Sequence, residues 1–315
     1  MELDWNRRVG LEQQNVVLHT RNSARTPKVT IGMPTFNRAH TIRRALASLA
    51  RQTYRDFVVI VSDNAGVSEP TLDAIRQFER DLPQVYLVAQ PTNIGALANL
   101  NFLLACASTE YFMWLADDDE ISDNYLEKLV ALLESDHSAV AAMGRWQMMY
   151  GGHAGRDQRQ LDHSAGSRAL RVFRYIAFQS EDSLFYGLHR VDRLRNCRFR
   201  DYAYPNKGML TNWCYVFLFD LVWQGPIQFA RDAAWICHSD NEKSYVRAAA
   251  GGVLNKLKTL LRRANVYFLY CAKTARRNPL MLAVAIPAAL VGLLRDVAAA
   301  VGRVATRQMA RIRSA

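Results

Sequence analysis

From Lys28 onward, short β-branched runs alternate with longer amphipathic stretches, and this rhythm limits the fold to α/β architectures built from βαβ units around a mostly parallel sheet. The strand candidates are Val29 to Met33, Phe57 to Val61, Val85 to Ala89 and Tyr111 to Leu115. Each is apolar nearly throughout, as strands covered on both faces are. The segments between them, about Ala39 to Arg51, Glu69 to Asp81 and Gly95 to Ala107, have helical spacing, for example Ile42, Leu46 and Leu49. A further helix (Asp123 to Ser135) and strand (Ala139 to Met143) extend the series.

A polar cluster follows each strand. Pro34-Thr35-Phe36-Asn37-Arg38 comes after the first and Asp63-Asn64-Ala65-Gly66 after the second. Asn93-Ile94-Gly95 lies beyond the third, and Asp117-Asp118-Asp119 follows the fourth. Parallel strands place all four clusters on one edge, where open α/β sheets bind ligands. Three adjacent aspartates repel one another, so the last cluster calls for a cation or dense hydrogen bonding. Oxygen ligands select a hard divalent ion, Mg²⁺ or Mn²⁺. The plainer alternative is that Asp119 and Glu120 favour the N-terminus of the next helix.

Beyond these units, Gly151 to Gly166 is a polar, Gly- and Gln-rich stretch read as a long loop. A helix (Arg168 to Gln179), an apolar segment (Leu184 to Leu188), an aromatic-rich helix (Asn212 to Gln224) and a strand (Ile227 to Cys237) follow. Trp213, Tyr215, Phe217, Phe219 and Trp223 suit a core better than a sugar-stacking surface. Residues 1 to 27 read as a polar lead-in. The N-terminus lacks the basic-then-apolar order of a signal peptide, so a cytoplasmic body is expected. Five scattered cysteines without a CxxC pair argue against a disulfide framework and fit a reducing compartment.

The net charge of +11 is not spread evenly. Residues 253 to 315 hold 12 basic residues and one acid, Asp296, leaving 28 basic and 28 acidic residues in the body. Leu280 to Leu294 is uncharged, about 22 Å long as a helix against a hydrocarbon core of about 30 Å. Beyond it Arg303, Arg307 and Arg311 recur every four residues opposite Val297, Val301, Val304 and Ile312. This pattern predicts a basic amphipathic module on an anionic membrane surface. A helical pair packed on the body and a spanning helix are the alternatives. Nucleic acid is not expected, because it does not need the apolar run.

Taken in order, Pro34 to Arg38, Ser62-Asp63-Asn64, Asn93-x-Gly95 with Asn99 and Asn101, and Asp117-Asp118-Asp119 resemble a family 2 glycosyltransferase with the Rossmann-like GT-A fold. The resemblance is clear over residues 28 to 145 and weaker to about residue 250. It implies a GT-A domain of residues 28–250, with a nucleotide-sugar half (28–145) and an acceptor half (146–250), followed by the basic tail (253–315). Tyr186-Gly187-Leu188-His189-Arg190 and Asp240-Asn241-Glu242-Lys243-Ser244-Tyr245 look like features of bacterial members that build surface polysaccharides.

By the same resemblance, Pro34, Thr35, Phe36, Asn37 and Arg38 line the nucleotide. Asp63 accepts from a uracil-like base edge, and Asn64, Asn93, Gly95 and Asn99 are further nucleotide-binding candidates. Asp117 reaches the ribose, Asp118 supports it, and Asp119 with Asp117 holds Mg²⁺ or Mn²⁺ on the diphosphate. His238 is a further metal or phosphate candidate, and Lys243 or Arg247 can close over the diphosphate. The implied reaction is displacement with inversion, moving a sugar from a nucleotide-diphosphate donor, UDP favoured, to a saccharide or lipid-linked saccharide hydroxyl in cell-surface glycan assembly. Asp182, with Glu181 as rival, is the candidate general base. Asn212 before Trp213 departs from a family pattern with Asp there and cannot accept a proton. Two other readings remain: a non-catalytic nucleotide-sugar-binding or scaffolding protein, and a nucleotidyltransferase, for which no Gly-rich, Lys-bearing phosphate loop is found.

Overall fold

The computed structural model describes residues 16–21, 27–66, 68–158, 160–178, 183–195, 197, 213–239 and 253–313. The first half alternates strand and helix: β1 (Val16–Arg21), β2 (Val29–Thr35), α1 (Ala39–Ala50), β3 (Phe57–Asp63), α2 (Glu69–Arg76), β4 (Gln84–Ala89), α3 (Ala96–Ala105) and β5 (Tyr111–Trp114). Next come β6 (Glu120–Ile121), α4 (Tyr125–Ser135), β7 (Ala141–Tyr150), β8 (His153–Asp157), α5 (Arg168–Phe178), a 3-10 turn (Ser183–Tyr186), β9 (Leu188–Arg190) and α6 (Val191–Leu194). The chain then forms α7 (Trp213–Gln224), β10 (Ile227–Ser239), α8 (Val253–Arg277) and α9 (Leu282–Arg313).

The described strands form one sheet in the order β1-β4-β3-β2-β5-β9-β7-β10-β6, with β8 on β7. β4, β3, β2 and β5 are parallel. Because β2 lies between β3 and β5, the winding reverses there, and the crevice of an open α/β sheet opens at that reversal.

Alternate side chains of each central strand enter opposite cores. Val58 and Ile60 of β3 join Phe112 and Trp114 of β5 under α3, α5 and α7. Phe57, Val59 and Val61 join Tyr111 and Met113 under α1, α2 and α4. Helix α1 buries Ile42, Ala45, Leu46 and Leu49, an i, i+3, i+4, i+7 stripe facing the sheet. Helix α2 ends at Arg76, five residues before the expected Asp81. Turns then lead to Leu82-Pro83, where proline disfavours helical backbone at the residue before it.

Two sequence expectations need correction. Within the expected lead-in, Val16–Arg21 is an antiparallel edge strand on β4, its side chains alternating half-buried and exposed. The sequence Val16-Val17-Leu18-His19-Thr20-Arg21 does not itself alternate, so the strand left only a short apolar run in an otherwise polar stretch. The expected loop Gly151 to Gly166 opens as a hairpin: Gly151 and Gly152 both have positive φ (53° and 84°), and Tyr150 pairs with His153. Two consecutive positive-φ residues match the twist of a tight hairpin. On one face the basic tail takes the alternative of a helical pair packed on the body. Val266, Tyr267, Tyr270, Ala285 and Ala288 of α8 and α9 are buried in the same core as α5 and α7.

Part of the tail's charge is internal as well. Asp220 of α7, 2% exposed, is paired with Lys273 at 2.5 Å and Arg277 at 2.7 Å. Asp296 holds Arg263 at 2.8 Å and Arg295 at 3.0 Å. Burial pushes the Asp296 carboxyl up, but these guanidinium groups and the Tyr267 hydroxyl outweigh it and hold it below its ordinary value.

Candidate functional site

Side-chain hydrogen bonds join the loops after β2, β3, β4 and β5 into one polar edge. Thr35 and Asp63 are paired in register at the ends of β2 and β3, and the Asn64 N–H donates to the Thr35 carbonyl at 3.0 Å. The Gln90 N–H donates to the Asp63 carbonyl at 2.8 Å. Asn64 donates through Nδ2 to Asn93 Oδ1 at 3.1 Å and accepts from the Ile94 N–H at 3.0 Å. Asn93 Oδ1 also accepts from the Gly95 N–H at 2.9 Å. Gly95 itself has φ 85°, a left-handed conformation that costs glycine little and lets the chain turn into α3.

Asn99 is buried and fully engaged, accepting from Ser62 Oγ at 2.6 Å and donating to the Ser62 carbonyl at 3.1 Å. In this structure Asn64, Asn93, Gly95 and Asn99 shape the edge. Asn37 has φ 54°, the one described non-glycine residue with positive φ. It turns the chain from β2 into α1, leaving the Phe36 ring 43% exposed on the loop.

The three aspartates have different partners. Asp117 is buried; its Oδ2 accepts from Thr35 Oγ1 at 2.6 Å and its Oδ1 from Arg38 Nη1 at 3.2 Å. Asp118 accepts from the same Arg38 nitrogen at 2.8 Å, while Arg44 Nη2 donates to its carbonyl at 2.9 Å. Burial pushes the Asp117 carboxyl up, against the pull of the Thr35 hydroxyl and Arg38. Asp63 is also pushed up by burial, against hydrogen bonds from the Ala65 and Asn64 N–H groups and Thr71; the Asp117 charge adds to the push. Asp63 therefore holds its own turn while standing beside Asp117.

Asp119 has only neutral donors. Its Oδ2 accepts from Trp235 Nε1 at 3.1 Å and its Oδ1 from the His238 N–H at 3.2 Å. Among the described residues no Lys, Arg or His side chain forms an ion pair with it. Burial, with the Asp118 charge next, pushes its carboxyl up to about 7, against the His238 N–H, the Cys237 thiol and the Trp235 indole. The His238 ring does not face Asp119: its Nε2 meets Glu120 Oε1 at 2.7 Å.

The Asp119 carboxylate, with Asp117 nearby in sequence, fits a hard divalent cation. A buried carboxylate beside a second acid, without a charged partner, is costly to ionise unless a cation joins it. Three of its roughly four lone-pair positions are taken, by the Trp235 indole, the His238 N–H and the Cys237 thiol, so one remains. Among the described residues no three His, Cys, Asp or Glu side chains are arranged to hold a metal together. Asp119, Asp117 and His238 are therefore not gathered as one ligand set; Mg²⁺ or Mn²⁺ typically takes one or two carboxylates and fills its other positions with water and phosphate.

Glu181, Asp182, Asn212, Lys243 and Arg247 lie outside the described residues, as does the segment Asp240 to Tyr245. Phe217, Phe219 and Trp223 are core residues. Sequence reasoning missed Trp235 and Cys237. They lie in an apolar strand more than a hundred residues from Asp119, and no local motif marks them.

The sheet with its winding reversal and ligand loops on one edge defines a nucleotide-sugar transferase fold of the GT-A type. The chain belongs to glycosyl transferase family 2, whose sequence profile matches residues 30–201, over half of its length. It is 26% identical over 186 residues to the GalNAc(5)-diNAcBac-PP-undecaprenol beta-1,3-glucosyltransferase of Campylobacter jejuni, covering 58% of each chain. It is 27% identical over 124 residues to the validoxylamine A glucosyltransferase of Streptomyces hygroscopicus, covering 39% of this chain and 29% of that one. The chain thus spans well under two thirds of the length of either relative.

Among solved structures, the S. aureus TarS fragment in complex with UDP-GlcNAc superposes with a TM-score of 0.56 at 18% identity, over 79% of this chain and 66% of that one. The mannosyltransferase PcManGT from Pyrobaculum calidifontis, in complex with GDP-Man and Mn²⁺, superposes with a TM-score of 0.50 at 17% identity, over 98% and 87%. At these identities the likeness is one of fold.

Proposed function

We propose that this protein is a cation-dependent, inverting glycosyltransferase that moves a sugar from a nucleotide-diphosphate donor, UDP favoured, to a hydroxyl of a saccharide or lipid-linked saccharide. The observation that carries the reading is Asp119, a buried carboxylate with no charged partner among the described residues, on the edge where the family's donor loops converge.

Asp119 would hold the divalent cation, with Asp117 beside it. The cation, when bound, acts as a Lewis acid on the diphosphate leaving group. Thr35 and Arg38 fix Asp117 from two sides, leaving it oriented as an acceptor for a ribose hydroxyl. The exposed Phe36 ring offers a face for a base to stack on. Asp63, held at the end of β3, is the proposed acceptor for a base ring N–H, and this favours uracil. Asp182 or Glu181 would take the acceptor's proton as a carboxylate general base. Inversion follows from single displacement.

The second part of the proposal concerns location: helices α8 and α9 rest on the anionic cytoplasmic face of a membrane. Segment Pro279–Val301 is long and apolar enough to cross a bilayer by length and composition. It presents two different faces. Ala285 and Ala288 are buried against the body, and Gly292 lies close to the Tyr267 ring. Ile286, Leu290, Leu294, Val297 and Val301, spaced four, four, three and four, form an exposed stripe; Leu294 is 69% exposed. A helix apolar on both faces but covered on one needs an apolar phase on the other. Docking of its first face supports a position on the surface over a span. The arginine stripe of Arg303, Arg307 and Arg311 lies outside the described side chains. In this position the enzyme would meet lipid-linked acceptors in two dimensions.

Calorimetric titration of full-length protein with UDP, GDP, CDP and dTDP, each with and without Mn²⁺, tests the donor site. Cation-dependent binding of UDP that is lost in Asp119→Ala is the expected result. Equal binding by Asp119→Ala overturns it. Sedimentation with anionic vesicles tests location, and protein that remains in the supernatant overturns that part.

A further inference from the structure

Among the described residues, every donor to the Asp119 carboxylate comes from a single strand. The Trp235 indole, the Cys237 thiol and the His238 main-chain N–H all belong to β10, which pairs with β6 through Trp235↔Ile121 and Ile236↔Glu120. Residues 235 and 237 share one face of a strand, so one register aims both side chains at the same carboxylate. The indole ring is itself held firmly. Trp235 is 5% exposed and lies between Tyr186, stacked at 4.2 Å and 14°, and Trp146, stacked at 5.8 Å and 27°.

A bulge sets this register. Against β7, strand β10 pairs Ala230 with Gly144 and then Ala234 with Arg145, so three residues of β10 face no partner. Bulges next to functional sites re-aim side chains. Here the bulge passes over Gly144, where a Cβ would meet the Ala233 carbonyl oxygen at 2.6 Å and the Tyr125 ring at 2.5 Å. The next β10 residues after the bulge are Ala234 and Trp235.

The two tryptophans of the stack differ in one respect. Trp235 Nε1 donates to Asp119, whereas Trp146 Nε1 is buried without a hydrogen-bond partner. A carboxylate turns freely about its last torsion. Hydrogen bonds from a rigid neighbour remove that freedom before a ligand arrives, and groups that hold a metal ligand in this way typically change metal affinity 10–100-fold when lost.

We infer that Trp235 is a positioning residue: its indole N–H, clamped between Tyr186 and Trp146, orients the Asp119 carboxylate for a divalent cation and thereby sets the affinity for cation and nucleotide. The inference rests on the reading of Asp119 as a cation ligand. It assigns to β10, outside the nucleotide half, a direct part in building the donor site.

The test measures free Mn²⁺ by electron paramagnetic resonance during titration of full-length protein in the presence of UDP. It compares wild type, Asp119→Ala, Trp235→Phe and Trp146→Phe, with a thermal melt for each. The expected result is saturable binding in wild type and none in Asp119→Ala. Trp235→Phe should bind about 10- to 100-fold more weakly. Trp146→Phe, which disturbs the same stack but leaves the N–H in place, should stay within about twofold of wild type whatever its melting temperature.

Trp235→Phe binding as well as wild type, while Asp119→Ala does not bind, overturns the inference and leaves Trp235 a packing residue. Unchanged binding in Asp119→Ala, or none in wild type, overturns the cation reading and the inference with it. Should Trp235→Phe fail to fold, the ¹⁵N-indole spectrum of the wild type decides among its six Trp signals. A slowly exchanging indole proton that Mn²⁺ with UDP broadens away supports the inference; no broadened indole signal overturns it.

Discussion

The donor edge and the C-terminal helical pair depart from ordinary burial in opposite directions. At the edge, Thr35, Asp63, Asn64, Asn99, Asp117 and Asp119 are polar and buried. On α9 and the 3-10 segment before it, Leu280, Leu290 and Leu294 are large, apolar and exposed, Leu280 by 85%. Buried polar groups and exposed apolar patches are the informative exceptions in a folded protein. Each indicates the partner it lacks. The edge has buried carboxylates in a poorly solvated place, which the proposed divalent cation would relieve. The helical pair has an exposed apolar face, which the proposed membrane surface would cover. Buried Asp220, paired with the partly exposed Lys273 and Arg277, joins the pair to the body, so the same molecule presents both surfaces.

The largest effect is expected at the edge. Asp119→Ala should lower sugar transfer about 10²–10³-fold, the usual loss when one electrostatic stabiliser of a developing charge is removed. Melting temperature should change little or rise, because an uncompensated buried charge is removed. A variant that loses stability but keeps its transfer rate would make Asp119 structural and end the contrast drawn above.

Breaking the joint between the two regions comes next. Asp220→Ala leaves Lys273 and Arg277 without their carboxylate; both keep access to solvent, so the loss should be that of charged hydrogen bonds, about 1.5–3 kcal/mol. Urea unfolding should show that loss, and limited proteolysis should cut α8 or α9 first. UDP binding by the edge should survive wherever the protein remains folded. Loss of binding in step with stability would instead mean that the regions form one cooperative unit.

The apolar stripe tests the other side of the comparison. Leu290→Ser combined with Leu294→Ser should weaken binding to anionic vesicles, with about 1.5–3 kcal/mol at stake for each leucine fully buried in lipid. Because both side chains are largely exposed, the melt should not move. A lower melting temperature with unchanged vesicle binding would show that the stripe packs against protein.

The smallest expected effect is one of pH. The Asp296 carboxyl is held below its ordinary value, so its contribution is complete above about pH 4 and is lost as pH falls through the folded value. Acid titration from pH 5 downward should therefore loosen α8 from α9, followed by proteolysis at α8. Asp296→Asn should flatten that part of the profile, and an unaltered profile would assign the acid sensitivity to other carboxylates.

Much of the edge was legible because its motifs are local. A strand followed by Pro34-Thr35-Phe36, Asp63-Asn64 or Asp117-Asp118-Asp119 carries both the element and the loop in a few consecutive residues, and parallel pairing makes those loops converge. The edge strand Val16–Arg21 and the Gly151-Gly152 hairpin left weaker traces, a short Val-Val-Leu run and a pair of glycines. The tail's composition announced an apolar helix with basic flanks. It did not reveal that Lys273 and Arg277 turn inward to Asp220.

By itself, then, the amino-acid sequence determined the α/β order, the edge on which the loops gather and the acids placed there, because hydrophobic period and turn chemistry act over neighbouring residues. Only the tertiary structure decided which acid has its own cation and which has none. Arg38 reaches Asp117 and Asp118 across about eighty residues, and Trp235 reaches Asp119 across more than a hundred. Those pairings depend on strand order and on the register of β10 across its bulge, and no local pattern encodes a register set by packing against a distant strand.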